Sequence, residues 1–68
     1  MKVRFKRSVT VDVQKVRIDE LWDKQLRKWD ELNVEETIPC GDGKTVNLIA
    51  CDGDVYLFVP ADAFEEVR

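Results

Sequence analysis

Gly41-Asp-Gly-Lys-Thr45 ends like a phosphate-binding loop, with a glycine-rich turn closed by a lysine and a hydroxyl. The full pattern needs a glycine where Ile38 stands and a helix after the threonine. Here an apolar run of strand type follows, so the segment reads as a hairpin turn. Asp42, Asp52 and Asp54 are hard-cation ligands by type, but Asp52-Gly-Asp54 lacks the spacing of a calcium loop. Asp42 falls at the other end of the intervening strand, and all three read as turn formers. Cys40 and Cys51 flank that same strand, which separates them by about 20 Å at ~3.3 Å per residue. A disulfide needs Cα atoms within ~7 Å, and two cysteines without histidine make a poor zinc site, so both are expected to be reduced.

Histidine is absent, which removes the commonest neutral-pH base. Ser8 is the only serine and has no base to activate it. No pair of carboxylates is singled out by spacing. The expectation is a chain with no catalytic residue, no metal and no cofactor, and hence not an enzyme.

The elements that position these groups must fit into 68 residues, which is one domain, 1–68. Hydrophobic residues at 44% supply a small core, and charged residues at 37% keep the chain in solution. Residues 1–33 carry nine Lys/Arg against six Asp/Glu, a net of +3, and residues 34–68 carry two against eight, a net of −6. Such asymmetry can orient a protein on a charged partner. The basic first residues lack an apolar run behind them, and no stretch reaches the ~18 apolar residues of a membrane span. A cytoplasmic location, with no membrane partner, is the default expectation.

Val3 and Phe5 alternate with Lys2, Arg4 and Lys6, and Val9, Val11 and Val13 alternate with Thr10 and Asp12. That period of two predicts two half-buried strands broken at Arg7-Ser8, with a phase slip near Gln14-Lys15. Ile18, Leu21, Trp22, Leu26, Trp29 and Leu32 then fall within an arc of about 140° at ~100° per residue, which predicts an amphipathic helix over 19–32. Asp19 is its expected N-cap, Asn33 its terminator, and Trp22 and Trp29 its buried aromatics. Strands are expected at 34–40, 45–51 and 54–59, turning at Asp42-Gly43 and Asp52-Gly53. A three-residue loop at 41–43 would put Val34 and Ile38 on the face of Val46 and Leu48. In the second hairpin Ala50, Leu48 and Val46 should face Val55, Leu57 and Val59. Pro60 stops the last strand, and a helical turn follows with Phe64 closing the core. The expected fold is therefore α+β, with the order ββαβββ plus a C-terminal helical turn. A small curled antiparallel sheet would pack on one amphipathic helix.

The same register places Ile49 opposite Tyr56 and Asn47 opposite Phe58 on the outer face. Lys2, Arg4 and Lys6 point outward from the first strand. An exposed cluster of Ile49, Tyr56 and Phe58 flanked by these cations is the expected partner-binding surface. The partner class expected is a larger protein or protein complex, occluded or tethered in the manner of small inhibitors and adaptors. Virus- or plasmid-encoded modulators of bacterial complexes share this economy. The alternative is nucleic acid, bound by the basic strand and the sheet aromatics, against which stands a pI near 4.8. Association between copies of the chain stays open.

Overall fold

The computed structural model describes residues 1–18, 20–50 and 55–67. It is all-β. Seven strands form one antiparallel sheet: β1 (Lys2–Phe5), β2 (Val9–Lys15), β3 (Glu20–Leu26), β4 (Glu31–Pro39), β5 (Thr45–Ala50), β6 (Val55–Pro60) and β7 (Phe64–Val67). Single 3-10 turns, Val16–Ile18 and Ala61–Ala63, lead into β3 and β7. The strand order across the sheet is β3-β2-β6-β5-β4-β1-β7.

Two short connections force this sheet to curl. β1 and β2 lie four places apart, about 19 Å on a flat sheet at ~4.8 Å per strand. Yet only Lys6–Ser8 joins them, and four residue steps reach at most ~14 Å. β3 and β4 are also four places apart and are joined by Arg27–Asp30 alone. The sheet therefore bends its inner face upon itself, and that face supplies its own lid. Val3 and Phe5 of β1, Val9, Val11 and Val13 of β2, and Leu26 of β3 are buried there. They form one core with Val34, Leu48, Leu57, Val59 and Ala63.

The expected helix over 19–32 does not exist, and the α+β assignment is corrected with it. Glu20–Leu26 pairs along its whole length with β2, from Lys15↔Glu20 to Val9↔Leu26. The helical spacing does not mark one buried face: Ile18, Leu21 and Trp29 are 60%, 70% and 59% exposed. Within the same segment Leu26 and Leu32 carry the inner-face alternation, continued by Val34. The i,i+4 ion pairs that a helix would form, Glu20 with Lys24, Asp23 with Arg27 and Arg27 with Glu31, are worth only ~0.2–0.5 kcal/mol each, too little to outweigh covering the valine face. Asn33 is no helix terminator but a strand residue opposite Lys2. Asp19, the expected N-cap, lies outside the described residues.

At the C-terminus the helical turn is a 3-10 turn followed by β7, which pairs with β1 from Phe5↔Phe64 to Lys2↔Val67. Phe64 does pack on the core, its ring 6.3 Å from that of Phe5. Asp62, in the 3-10 turn, accepts a hydrogen bond from Arg7 Nη2 at 2.9 Å.

The second hairpin has the expected register, Val46↔Val59, Leu48↔Leu57 and Ile49↔Tyr56. Its turn, Cys51–Asp54, lies outside the described residues. The first hairpin differs. Cys40 N–H donates to the Thr45 carbonyl, so the loop has four residues, 41–44. Asp42 accepts from the backbone N–H groups of Lys44 and Thr45 and from Thr45 Oγ1, and Gly43 takes φ 72°. An even loop sets Thr37, half-buried, opposite Leu48 and Pro39, exposed, opposite Val46, and leaves Ile38 outside at 42% exposure. A bulge between Val34 and Glu36 then restores Val34 to the core.

Trp29 stands in the Arg27–Asp30 turn at φ 75°, where a side-chain-bearing residue is strained by about 1–2 kcal/mol. Its N–H donates to the Phe5 carbonyl at 2.7 Å, and Lys28 Nζ lies 5.0 Å from its ring. Trp29→Gly should therefore shift stability by less than about 1 kcal/mol. The relief of strain is offset by the freedom glycine gains in the unfolded chain and by the lost cation–π contact. Phe5→Ala should cost about 3–5 kcal/mol. Thermal melting of the two variants checks both, and the opposite ranking would return Trp29 to the core.

Candidate functional site

β2 alternates strictly, so burial of Val9, Val11 and Val13 turns Thr10, Asp12 and Gln14 to the outer face. Three strands meet there. Asp12 lies opposite Asp23 of β3 on one side and Phe58 of β6 on the other. Gln14 lies between Leu21 and Tyr56 in the next row. The result is an open groove of about 500 Å³ lined by Asp12, Val13, Leu21, Trp22, Asp23 and Phe58. Leu21 is 70% exposed at its rim and Trp22 is 40% exposed.

The floor holds two carboxylates directly opposite one another, an arrangement that repels when both are ionised. Asp12 is held above the usual carboxylate range, first by a side-chain hydrogen bond with Asp23, then by that neighbour's charge and by partial desolvation. Chemically the pair can keep one proton between two oxygens or accept one cationic group. The patch continues onto β5 and β4, where Asn47 lies opposite Phe58 and Ile38. Asn47 Oδ1 is buried and has no hydrogen-bond partner.

Of the expected binding residues, Ile49, Tyr56 and Phe58 do share the outer face. They are half-buried and extend the groove beyond Asp12. The cations do not join them. β1 is three strand positions from β6, across β5 and β4. Arg4 donates from Nε and Nη2 to Glu31 Oε2 at 3.2 and 3.1 Å, and Lys2 Nζ lies 3.8 Å from Glu31 Oε1. Lys6 sits in the corner between β1 and β2. Sequence reasoning missed Asp12, Asp23, Leu21 and Trp22. The valine alternation already placed Asp12 outward, but its opposition to Asp23 exists only when 20–26 is a strand.

Among the described residues no group of three or more His, Cys, Asp or Glu could hold a metal ion. Cys40 is a free thiol, and Cys51 lies outside the described residues. No helix among the described residues is long and apolar enough to cross a membrane, which says nothing of strands.

The carboxylates divide by sign. A raised folded-state value favours the protonated form, so the Asp12 contribution is lost as pH rises through that value. Asp42 is lowered by hydrogen bonds from Lys44, from the Thr45 hydroxyl and from the Thr45 amide. Asp62 is lowered by the hydrogen bond and charge of Arg7. Their contribution is present above the ordinary carboxylate range and is lost as pH falls through their lowered values. Asp12→Asn should therefore raise the melting temperature at pH 7, with the gain vanishing on acidification. Asp42→Ala should lower it at pH 7, with the loss shrinking on acidification. A pH series of melting curves distinguishes these, and a loss of stability at pH 7 in Asp12→Asn would contradict the opposed carboxylates.

Comparison with protein-family models, curated proteins and solved structures finds no match for this chain.

Proposed function

We propose that the chain is a non-catalytic protein-binding domain whose outer-face groove takes up a basic side chain, with apolar neighbours, from an exposed segment of a partner protein. The observation that carries this reading is the Asp12–Asp23 opposition between Leu21 and Phe58. A guanidinium or ammonium placed between the two carboxylates removes their repulsion and gains charge-assisted hydrogen bonds. Leu21 and Phe58 offer the flanking residues area to bury, at ~25 cal/mol per Å². Phe58, beside Asp12, also offers a ring face to a cation. Occlusion or tethering of the partner follows from occupancy alone, and so fits an inhibitor or adaptor. A free thiol at Cys40 is compatible with a reducing compartment such as the cytoplasm. Nucleic acid is the weaker reading, because Lys2 and Arg4 are engaged with Glu31 and the aromatics stand beside carboxylates instead.

The probe is a short peptide alternating arginine with leucine, with a glutamate–leucine peptide as control. Titration followed by amide NMR should move Asp12, Leu21, Asp23 and Phe58 with the basic peptide only. Asp12→Asn/Asp23→Asn should weaken binding about tenfold or more, as expected for loss of charged hydrogen bonds. Equal response to both peptides, or shifts confined to β1, would contradict the reading.

A further inference from the structure

The sheet has two edges, and they differ. β7 has four residues and carries Glu65 and Glu66 at its centre. Short charged edges of this kind resist pairing with another chain. β3 has seven residues, six of them exposed, and among the described residues it is paired only on its β2 side. Half of its backbone N–H and C=O groups therefore point away from the sheet.

Two copies of β3 can pair antiparallel about a twofold axis perpendicular to the sheet, and such an axis must pass through one residue. The charges discriminate among the registers. Centring on Asp23 would set Asp23 against its own copy, with Asp12 of each chain next in the row. Centring on Lys24 would oppose two lysines. Centring on Leu21 leaves only Glu20–Leu21–Trp22 of the strand to pair, three residues from each copy. Centring on Trp22 opposes Trp22 to its copy and Leu21 to Asp23 twice. It also opposes Glu20 to Lys24 twice, with no like charges facing each other. Glu20, Trp22 and Lys24 share one side of the strand, opposite Lys15, Val13 and Val11 of β2. The three cross-chain pairs thus lie in one row.

We infer that the chain forms a twofold homodimer by antiparallel pairing of β3 with β3, centred on Trp22 and held in register by two Glu20–Lys24 pairs. The charges that would block edge pairing elsewhere select the partner here, because the strand is complementary to its own reverse. The buried area is that of a strand edge, so association is weak, on the order of micromolar. Pairing also brings the second copy's Leu21 beside Asp23 at the end of the groove. The inference itself stands on the strand edge and does not depend on what the groove binds.

Sedimentation equilibrium over a concentration series, up to about 1 mM to cover the weak-binding range, should show a monomer–dimer equilibrium. Glu20→Lys and Lys24→Glu should each weaken dimerisation about tenfold or more, since each turns two attractive pairs repulsive. An equimolar mixture of the two variants should restore association as a heterodimer, in which both pairs are again opposite in sign. Both residues are exposed, and circular dichroism is the check that each variant folds. Independently, amide shifts of wild-type protein should change with concentration at residues 20–24 and not at 64–67. A wild-type monomer throughout, dimerisation indifferent to the single reversals, or no rescue on mixing would each overturn the inference.

Discussion

Phe5 is the point on which the rest of the sheet depends. Its side chain is fully buried at the closed end of the core. Its backbone N–H donates to the Asp30 carbonyl, and its carbonyl accepts from Trp29 N–H. Lys6 N–H, one residue on, donates to the Ala63 carbonyl. One residue thus ties β1 to the Arg27–Asp30 connection and leads straight into the turn before β7. Without that knot the two short connections could not hold a seven-stranded sheet bent on itself. The valine face would then lie open to water, since the described residues form no second layer to cover it.

The strain at Trp29 belongs to the same knot. Arg27 N–H is held by Asp30 Oδ2, Asp30 N–H by the Arg27 carbonyl, and Lys28 N–H by Ser8 Oγ. These bonds fix the turn so that its third residue must take positive φ, whichever side chain it carries. Curling has a second consequence at the other end of the order. Covering the inner face turns the β2–β3 ribbon into the rim of the sheet. There Asp12 and Asp23 come face to face, and β3 keeps a free edge. The proposed groove and the proposed dimer seam are the two sides of that one ribbon.

Much of the sheet was legible because alternation is a local signal. Val3 and Phe5, the three valines of β2, and the pairing of Leu48 with Leu57 all follow from period two and a turn. So does the outer-face row of Ile49, Tyr56, Asn47 and Phe58. What was not legible depends on closure. Residues 19–32 carry a helical spacing and helical ion pairs, and nothing local says that Trp29 is a turn residue or that Leu21 is exposed. Only the need to cover the valine face, met through connections of three and four residues, decides for strand. β7 was hidden similarly, because Phe64 and Val67 fit one turn of helix as well as a four-residue strand. In the first hairpin one residue of loop length and one bulge moved Ile38 from core to surface. On the outer face the row of Ile49, Tyr56 and Phe58 follows from the hairpin, whereas the opposition of Asp12 to Asp23 exists only when 20–26 is a strand, and Lys2 and Arg4 stand three strand positions from β6.

The most direct measurement of the central claim is the pattern of proton–proton Overhauser contacts over residues 20–32 in the isotopically labelled protein. The closed sheet predicts cross-strand backbone contacts for Thr10 with Gln25, Asp12 with Asp23 and Gln14 with Leu21. It also predicts a slowly exchanging Trp29 amide close to Phe5. Sequential amide–amide and i,i+3 contacts running from residue 20 to residue 32 would instead establish a helix there and contradict the account.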